Sequence, residues 1–499
     1  MHCNGFRGAS PPATVEGVSV HDDRVLIPGK TCWRVERADQ FACIIDAADY
    51  FMHVKAAMLR ARYRIMLVGW DFDAWMTFER GAKMLPGPNQ LSAFLYWLLW
   101  KRSNLEIYLL RSNLRLLPAF GSFWGGVTPV ALVNQITSRR MHFAVDGVHP
   151  TGSVHHQKIV VIDDDMAFCG GIDLTSDRWD NRAHGHESQR RRTLNRSYGP
   201  RHDVAAAVDG AAARALGEQA LARWRIATGQ SLAPVDAKQT TWSSELEPTL
   251  RNVDVGITRT LPEFDDRPEV REVEALNLAA IAAARHTIYL ENQYLAARRL
   301  VDALAARLSE AEGPEIVIVT ARRGNNPLER NAMDSARHRL IQVLWKADEH
   351  HRLGIYWPVT DGGAPIYVHS KVLVVDDRLL RIGSSNLNNR SLGFDSECDI
   401  AIEADSDDVR RQIISVRDDL VSEHLGVSIA DFEKAMRQRP SLLKAIEALC
   451  GDGRSLRPFT ESTVADEAGP LAESDLVDPD RVPRSLTRSV QRFIAGLRN

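Results

Sequence analysis

The chain has 499 residues, 44% of them apolar and 25% charged, and is long enough to bury more than one domain-sized core. Lysine and arginine number 62 against 65 aspartate and glutamate, so a formal net charge of −3 provides no overall basic field for nucleic acid. The six cysteines form no CxxC pair, which predicts reduced thiols rather than a disulfide framework or a zinc site.

No segment has the layout of a signal peptide or a membrane span. The longest apolar run, residues 93–100, is followed at once by Lys101 and Arg102. We therefore expect a protein without a transmembrane segment, cytoplasmic or peripheral to a membrane. Export by a route that needs no cleavable signal stays open.

The order of predicted elements occurs twice along the chain. In the first half, a helical pattern is followed by three apolar runs of strand length and a hairpin-like pair, at 47–62, 62–70, 105–110, 141–145 and 156–171. The second half repeats this series at 273–285, 286–290, 315–320, 353–357 and 369–384. Such a long repeat unit indicates duplication of a domain rather than a solenoid.

Strands that alternate with helices predict an α/β fold. We expect two tandem, duplicated α/β/α-layered domains related by a pseudo-two-fold axis. The predicted segments are an N-terminal segment (1–40), a first domain (41–228), a linker (229–248), a second domain (249–445) and an acidic, loosely packed tail with a short terminal helix (446–499, helix at 485–497). Residues 186–199, with Arg190 to Arg192, are predicted to be an exposed, solvated loop.

Each hairpin carries the same pattern, H-x-K-x(4)-D. The first copy is His156, Lys158 and Asp163, followed after six residues by GGID at 170–173. The second copy is His369, Lys371 and Asp376, followed at the same distance by GSSN at 383–386. One match would be weak evidence, but two at equivalent repeat positions make chance implausible.

The residue types of the pattern suit the cleavage of a phosphodiester. In a strand, positions i and i+2 share a face, so each half presents one imidazole and one ammonium group to a common surface. Two histidines and two lysines can supply a nucleophile, a general acid and positive charge around the phosphoryl oxygens. The ammonium groups would repel a metal ion, so we expect no metal and no cofactor. Asp163 and Asp376 lie seven positions after their histidines and are predicted to be turn or orienting residues.

Both patterns resemble the HKD signature of the phospholipase D superfamily, and the resemblance covers residues 45 to 440 approximately. GWDFD (69–73), GGIDL with RWD (170–174, 178–180), RHDV (201–204), YLENQY (289–294) and GSSNLNNRS (383–391) are similar to segments of lipid-cleaving members. The resemblance implies a covalent phosphohistidine, with His156 as the nucleophile and His369 as the general acid and base, or the reverse. It also implies that Lys158, Lys371 and Asn386 hold the phosphoryl oxygens, with Asp173 at the equivalent of Asn386.

Further residues are predicted to support the motif residues or to line the substrate pocket. Glu397 is our candidate for fixing the tautomer of His369, and Asp180 for His156. A substrate-pocket role is considered for Trp179, Glu291 and Gln293, although a tryptophan is as often core packing. Residues 91–100 are predicted to form a buried helix rather than a membrane-contacting one.

The leading hypothesis is a phospholipase D, monomeric, that acts on phospholipid at a membrane surface and can exchange the headgroup for another alcohol. A phosphatidyltransferase like cardiolipin synthase is the first alternative. A nuclease of the same superfamily is the second, although no nucleic acid partner is expected from the charge.

Overall fold

The computed structural model of the chain describes residues 24–113, 139–237, 240–324, 330–465 and 478–481. The described part of the first half has three helices, α1 (Ala47–Met58), α2 (Leu91–Lys101) and α3 (Gly210–Thr228). Its strands are β1 (Arg34–Ile45), β2 (Arg64–Gly69), β3 (Glu106–Ser112), β4 (Met141–Asp146), β5 (Ile159–Ile162), β6 (Met166–Gly170), β7 (Arg201–His202) and β8 (Val204–Asp209).

The described part of the second half repeats this series and extends it. Its strands are β9 (Leu250–Leu261), β10 (Val270–Arg271), β11 (Thr287–Asn292), β12 (Glu315–Thr320), β13 (Leu353–Val359), β14 (Tyr367–Val368), β15 (Lys371–Val375), β16 (Leu379–Gly383), β17 (Glu397–Glu403) and β18 (Ser455–Pro458). The helices are α4 (Glu272–Ala283), α5 (Arg298–Leu308), α6 (Ser335–Ala347), α7 (Asp407–Leu425), α8 (Ile429–Gln438), α9 (Leu442–Leu449) and α10 (Glu461–Ala465). Two π-helical turns span Arg330–Asp334 and Arg390–Phe394.

One sheet runs through both halves and shows their duplication. Outward from the centre, the first half has the order β1-β8-β6-β5-β2-β3-β4 and the second has β9-β17-β16-β15-β11-β12-β13-β18. The central strands β1 and β9 pair antiparallel over seven registered positions, from Arg34 opposite Ile257 to Phe41 opposite Leu250. The predicted α/β fold with two related halves is therefore confirmed.

Helices cover both faces of this sheet. One hydrophobic cluster is shared by the halves and lies beneath α3 and α7, with Leu216 and Leu420 among its fully buried members. A second cluster packs α1 and α2 on the other face of the first half, and a third packs α4 to α6 on the second half. The apolar face of α2 is buried as predicted, although Trp100 at its end is exposed. No helix among the described residues is both long and apolar enough to cross a bilayer.

The structure differs from the predicted boundaries at both ends. Strand β1 begins at Arg34, inside the segment predicted to precede the first domain, and Val25 and Leu26 pack into the core of the second half. Within the predicted tail, β18 pairs with the edge strand β13, and Leu456 and Val464 are fully buried. Composition did not reveal this short strand, because its partner lies about a hundred residues earlier. The predicted terminal helix at 485–497 lies outside the described residues.

Candidate functional site

The two motifs lie at the middle of the molecule, where the backbones of the two halves are hydrogen-bonded to each other. The N–H of His156 donates to the carbonyl of Ser396 at 2.9 Å, and the N–H of His369 donates to the carbonyl of His202 at 2.8 Å. A parallel pairing of β7 with β14 accompanies the second bond. Each motif histidine is thus fixed by the opposite half, which brings the two motifs into one site.

Each imidazole also contacts a carboxylate of the opposite half. Nδ1 of His156 lies 3.1 Å from both carboxylate oxygens of Glu397 and 3.1 Å from the carbonyl oxygen of Ser384. Nδ1 of His369 lies 2.7 Å from Oδ2 of Asp203. Because a carbonyl oxygen can only accept, Nδ1 of His156 carries the hydrogen, which leaves its Nε2 free to attack.

This arrangement corrects two of the predicted partners. Glu397 was expected to orient His369, but the pseudo-two-fold relation places it on His156. Asp180 was expected to orient His156, but it accepts the backbone N–H of Arg201 at 2.8 Å and contacts His184 at 3.0 Å. The partner of His369 is Asp203, which was not among the candidates. Asp203 belongs to the RHDV segment, which leads into β8 as the residues around Glu397 lead into β17. This equivalence between the halves was the signal that could have identified it.

The two carboxylates are buried and differently supported. Hydroxyl groups of Ser384 and Ser391 donate to Glu397 at 2.5 and 2.6 Å. Burial raises the pKa of Glu397 to about 8 and that of Asp203 to about 6, where the Lys371 ammonium opposes the rise. A side chain at Gly171 would place its Cβ 2.2 Å from Oδ1 of Asp203, so only glycine fits beside this carboxylate.

Two buried lysines supply positive charge to the site. Nζ of Lys158 donates to the carbonyl of His156 at 3.0 Å and pairs with Asp173 at 3.3 Å. Nζ of Lys371 donates to the carbonyl of His369 and, at 3.2 Å, to Oε1 of Gln293. Burial lowers the pKa of Lys371 to about 7. Gln293, one of the predicted pocket residues, therefore contacts a motif lysine.

The electrostatics show that the motifs share one environment. Burial lowers the pKa of both motif histidines well below the ordinary value, and the positive charges of Lys158 and Lys371 add to the effect at each ring. Arg178 and Arg201 act on His369 as well. A buried group of four cations around two neutral imidazoles is suited to receive a phosphate anion.

Asn386 is enclosed yet keeps an available acceptor. Its side chain is buried, and its Oδ1 has no hydrogen-bond partner among the residues that the structure describes. At the equivalent position, Oδ1 of Asp173 accepts the N–H of Trp70 at 3.2 Å while the other oxygen faces Lys158. Such an unsatisfied buried oxygen is unusual in a folded protein and can accept only from a ligand group that carries a hydrogen, such as water or a hydroxyl; a contact of Asn386 with phosphoryl oxygens would use its amide N–H groups.

The two motif aspartates, which the H-x-K-x(4)-D pattern groups with the catalytic histidines and lysines, are turn residues that contact neither imidazole. Asp163 accepts the backbone N–H groups of residues 62, 63 and 64 at 2.7–2.8 Å, and Asp376 accepts those of 285, 286 and 287 at 2.7–2.9 Å. Both have φ of 52°, in the left-handed region that turns favour. They hold the start of β2 and of β11, at the sheet edge opposite the histidines.

Two further pocket candidates are enclosed instead of lining the site. Trp179 packs in the first-half core, and the Arg80 guanidinium lies 5.6 Å from the centre of its ring. Glu291 is fully buried and accepts from Ser370 Oγ at 2.7 Å, with His202 and His424 each 2.9 Å away. Two other aromatic residues flank the histidines. The ring of Trp70 lies 6.4 Å from that of His156, and the ring of Tyr367 lies 6.4 Å from that of His369.

Beneath the site, His184 and His202 lie among carboxylates in a combination that also occurs in metal centres. Nε2 of His184 is 3.1 Å from Glu423 and 3.3 Å from Asp46, and Nδ1 of His202 is 3.0 Å from Glu423. Although burial opposes it, the Asp46 carboxylate raises the pKa of His184 to about 9. A protonated imidazole between carboxylates accounts for these contacts through hydrogen bonds.

Parts of the chain are similar in sequence to known proteins. A protein-family model described as "Cardiolipin synthase, PLD-like domain" matches residues 278–416, in the second half. Phospholipase D A of Dictyostelium discoideum is 23% identical over 359 residues, which cover 55% of this chain and 27% of that protein. Cardiolipin synthase A of Yersinia pseudotuberculosis is 26% identical over 270 residues, which cover 54% of this chain and 48% of that protein. The chain thus spans less than half the length of these two relatives.

A solved structure shares the fold. Phosphatidylserine synthase of Haemophilus influenzae superposes with a TM-score of 0.54 at 12% sequence identity, over 77% of this chain and 86% of that one. An overlap of this extent includes both halves of the sheet.

Proposed function

The chain belongs to the phospholipase D superfamily, and from this premise we propose that it cleaves the distal phosphodiester bond of glycerophospholipids to phosphatidate and a free headgroup. The observation that carries the proposal is the reciprocal pairing of His156 with Glu397 and of His369 with Asp203. Each pairing occupies Nδ1 and leaves Nε2 of the ring for the substrate, beside two lysines.

In the first step, Nε2 of His156 attacks the phosphorus atom, and the bond between phosphorus and the headgroup oxygen breaks. His369, protonated in the substrate complex, gives its Nε2 proton to that oxygen, so the headgroup leaves as a neutral alcohol. The phosphatidyl group remains on His156 as a phosphohistidine. The bound phosphate anion offsets the lysine charges and thereby raises the pKa of His369 towards the protonated form.

In the second step, water attacks the phosphohistidine, and the bond between phosphorus and Nε2 of His156 breaks. His369 takes the proton of the attacking water, which restores the starting protonation state. An alcohol that replaces water yields a new phosphatidyl ester, so transphosphatidylation accompanies hydrolysis. Lys158, Lys371 and Asn386 hold the phosphoryl oxygens throughout.

The test is incubation with vesicles of labelled phosphatidylcholine, phosphatidylethanolamine and phosphatidylglycerol in the presence of ethanol. We expect labelled phosphatidate and phosphatidylethanol, and we expect neither product from His156→Ala. His350→Ala, which changes an exposed histidine in the turn before β13, serves as the matched control and keeps full activity. Vesicles left intact by the wild-type protein would refute the proposal.

A phosphatidyltransferase like cardiolipin synthase is the second candidate, favoured by the description of the matching family model. Both reactions share the first step and differ only in the acceptor. Cardiolipin as the main product from phosphatidylglycerol vesicles would select this alternative. Cleavage of DNA or RNA with inert phospholipid would select the nuclease instead.

Under the proposed function, the protein binds its lipid substrate from the aqueous side of a membrane. Both motifs are contributed by one chain, so a complete site needs no second copy and a monomer suffices. Sedimentation of the active protein would test this expectation, since activity confined to a dimer would contradict it.

A further inference from the structure

Two loops of the first half, residues 70–90 and 182–199, are termed here the entrance rim. They carry four of the nine large apolar side chains that are exposed among the described residues. The exposed fractions are 36% for Trp70, 58% for Trp75, 78% for Met84 and 71% for Leu194. Water-exposed apolar side chains of this size, gathered in two neighbouring loops, indicate a surface that another apolar phase covers.

The two loops are joined to each other by hydrogen bonds. The Arg80 guanidinium donates to the carbonyls of Arg190 and Arg192 at 2.5 and 2.9 Å and to the hydroxyl of Tyr198 at 2.9 Å. A Cβ at Gly81 would lie 3.2 Å from the Arg190 guanidinium, so the second loop packs directly on the first at this position. Such contacts hold the exposed side chains in place without burying them.

The entrance rim rises from the sheet edge that carries the site. Strands β2 and β6 both pair antiparallel with β5, so their carboxyl ends share the edge where β5 begins, next to His156 and Lys158. The first loop continues directly from β2, and the second follows β6 through residues 171–181. Trp70, the first residue after β2, lies beside His156.

The charge of the entrance rim is positive. Arg190, Arg192 and Arg196 are exposed, and none of them pairs with a carboxylate within the described residues. Arg191, by contrast, is buried against Asp180 at 3.3 Å and contributes to folding. Unpaired arginines among exposed tryptophan, methionine and leucine side chains match the surface of a bilayer that contains anionic lipid.

We propose that the entrance rim is the membrane-docking surface, which inserts Trp75, Met84 and Leu194 into the interface of a bilayer while Arg190, Arg192 and Arg196 contact anionic headgroups. The proposal rests on the proposed function, because it places the bilayer next to the histidine that attacks the phospholipid. Docking through this surface lets a lipid reach His156 past Trp70 with its acyl chains still in the membrane.

The test measures binding to vesicles of phosphatidylcholine with or without phosphatidylglycerol, in a His156→Ala background so that the vesicles stay intact. We expect Trp75→Ser/Met84→Ser/Leu194→Ser to weaken partitioning about tenfold or more on both vesicle types. Arg190→Ser/Arg192→Ser/Arg196→Ser should weaken it only on vesicles that contain phosphatidylglycerol, and added salt should do the same.

Two matched controls are available. Trp100→Ser changes an exposed tryptophan at the end of α2, near the start of β3 and so towards the sheet edge opposite the site. Arg298→Ser/Arg411→Ser/Arg437→Ser changes three exposed arginines of the second half. Both controls should bind vesicles as the parent protein does. An equal loss in a control and in the matching rim variant would overturn the proposal, as would unchanged binding of the rim variants.

Turnover of a short-chain, monomeric phospholipid separates this proposal from the proposed function. With His156 intact, the apolar rim variant should hydrolyse the monomeric lipid at the wild-type rate and vesicle lipid about tenfold more slowly. A wild-type protein that cleaves neither lipid refutes the proposed function and leaves the binding result standing. Self-association that the rim variant abolishes, without vesicle binding by the parent, would replace the membrane by a second copy and overturn the docking proposal.

Discussion

The two halves of the site have the same motif but different surroundings. Lys158 of the first half pairs with the carboxylate of Asp173, whereas Lys371 of the second half donates to the neutral amide of Gln293. The position after the strand that pairs with each motif strand differs likewise, with exposed Trp70 after β2 and buried Gln293 after β11. The two halves therefore share the motif histidine and lysine but differ in the charge around each lysine.

The two histidines also differ in their exposure and in the carboxyl group that each contacts. The His156 side chain keeps 16% of its surface exposed and contacts a carboxyl group whose pKa is about 8. The His369 side chain keeps 7% and lies 2.7 Å from a carboxyl group whose pKa is about 6. At neutral pH the carboxyl group of Asp203 is therefore more ionised than that of Glu397. An ionised carboxylate stabilises an imidazolium better, which favours His369 as the general acid and His156 as the nucleophile.

Removal of either histidine tests this division of roles. We expect His156→Ala and His369→Ala each to lower kcat/KM by about 10⁴-fold or more, because no other group can replace the nucleophile or the acid. A nitrophenyl ester of phosphatidate has a leaving group that needs no proton, so it should still label His156 in His369→Ala. Mass spectrometry of the trapped protein would show the label. Labelling of His369 in His156→Ala would reverse the roles.

The two orienting carboxylates should differ in their contributions. Asp203→Asn is expected to lower kcat/KM about 10³-fold at pH 7, since the amide cannot stabilise the imidazolium of His369. Glu397→Gln should cost only about tenfold, because a carboxyl group with a raised pKa is already partly protonated and resembles an amide. Steady-state rates of both variants provide the measurement, and equal losses would contradict the comparison.

Lys158→Ala should lower kcat by about 10²-fold, the usual effect of losing one charge that stabilises the transition state. The paired Asp173 would then lie buried without its cation, so Lys158→Ala/Asp173→Asn should recover part of the activity. A single-turnover assay isolates the chemical step. A Lys158→Ala protein with wild-type turnover would exclude the lysine from phosphate binding.

The second lysine predicts a pH dependence. Lys371 has a lowered pKa of about 7, so the free enzyme loses its positive charge as the pH rises above that value. We expect kcat/KM to fall up to tenfold per pH unit on the alkaline side, and kcat to fall at a higher pH because bound phosphate favours the charged lysine. In Lys371→Arg the profile should stay flat over this range. If Lys371→Arg kept the same fall of kcat/KM at alkaline pH, that fall would have to come from the titration of another group.

The motif aspartates should behave alike in both halves. Asp163→Ala and Asp376→Ala each leave three backbone N–H groups without their acceptor, which should lower the free energy of unfolding by about 3 kcal/mol. The activity of the remaining folded protein should change by less than about twofold, since both groups lie away from the histidines. Thermal unfolding with Asp266→Ala, an exposed loop residue, as the control would measure the effect. Intact stability with lost activity would return the aspartates to the catalytic set.

The sequence by itself determined the duplication, the α/β fold and the residues that we propose as the reacting groups. These features depend on order and spacing, which a chain displays directly. The seven-residue distance from histidine to aspartate also predicted that Asp163 and Asp376 face away from their histidines, because side chains alternate along a strand.

Only the tertiary structure decided which groups of the opposite halves meet. Glu397 lies 241 residues from His156, and Asp203 lies 166 residues from His369, so no local pattern links either pair. The tertiary structure also decided which aromatic residues lie at the site, since Trp179 is buried in the core while Trp70 flanks His156. Three features depend on segments that are distant in the chain: the contact of each histidine with a carboxylate of the opposite half, the lowered pKa of Lys371, and the pairing of β18 with β13. The physical reason is that these segments exclude water only when the fold brings them together.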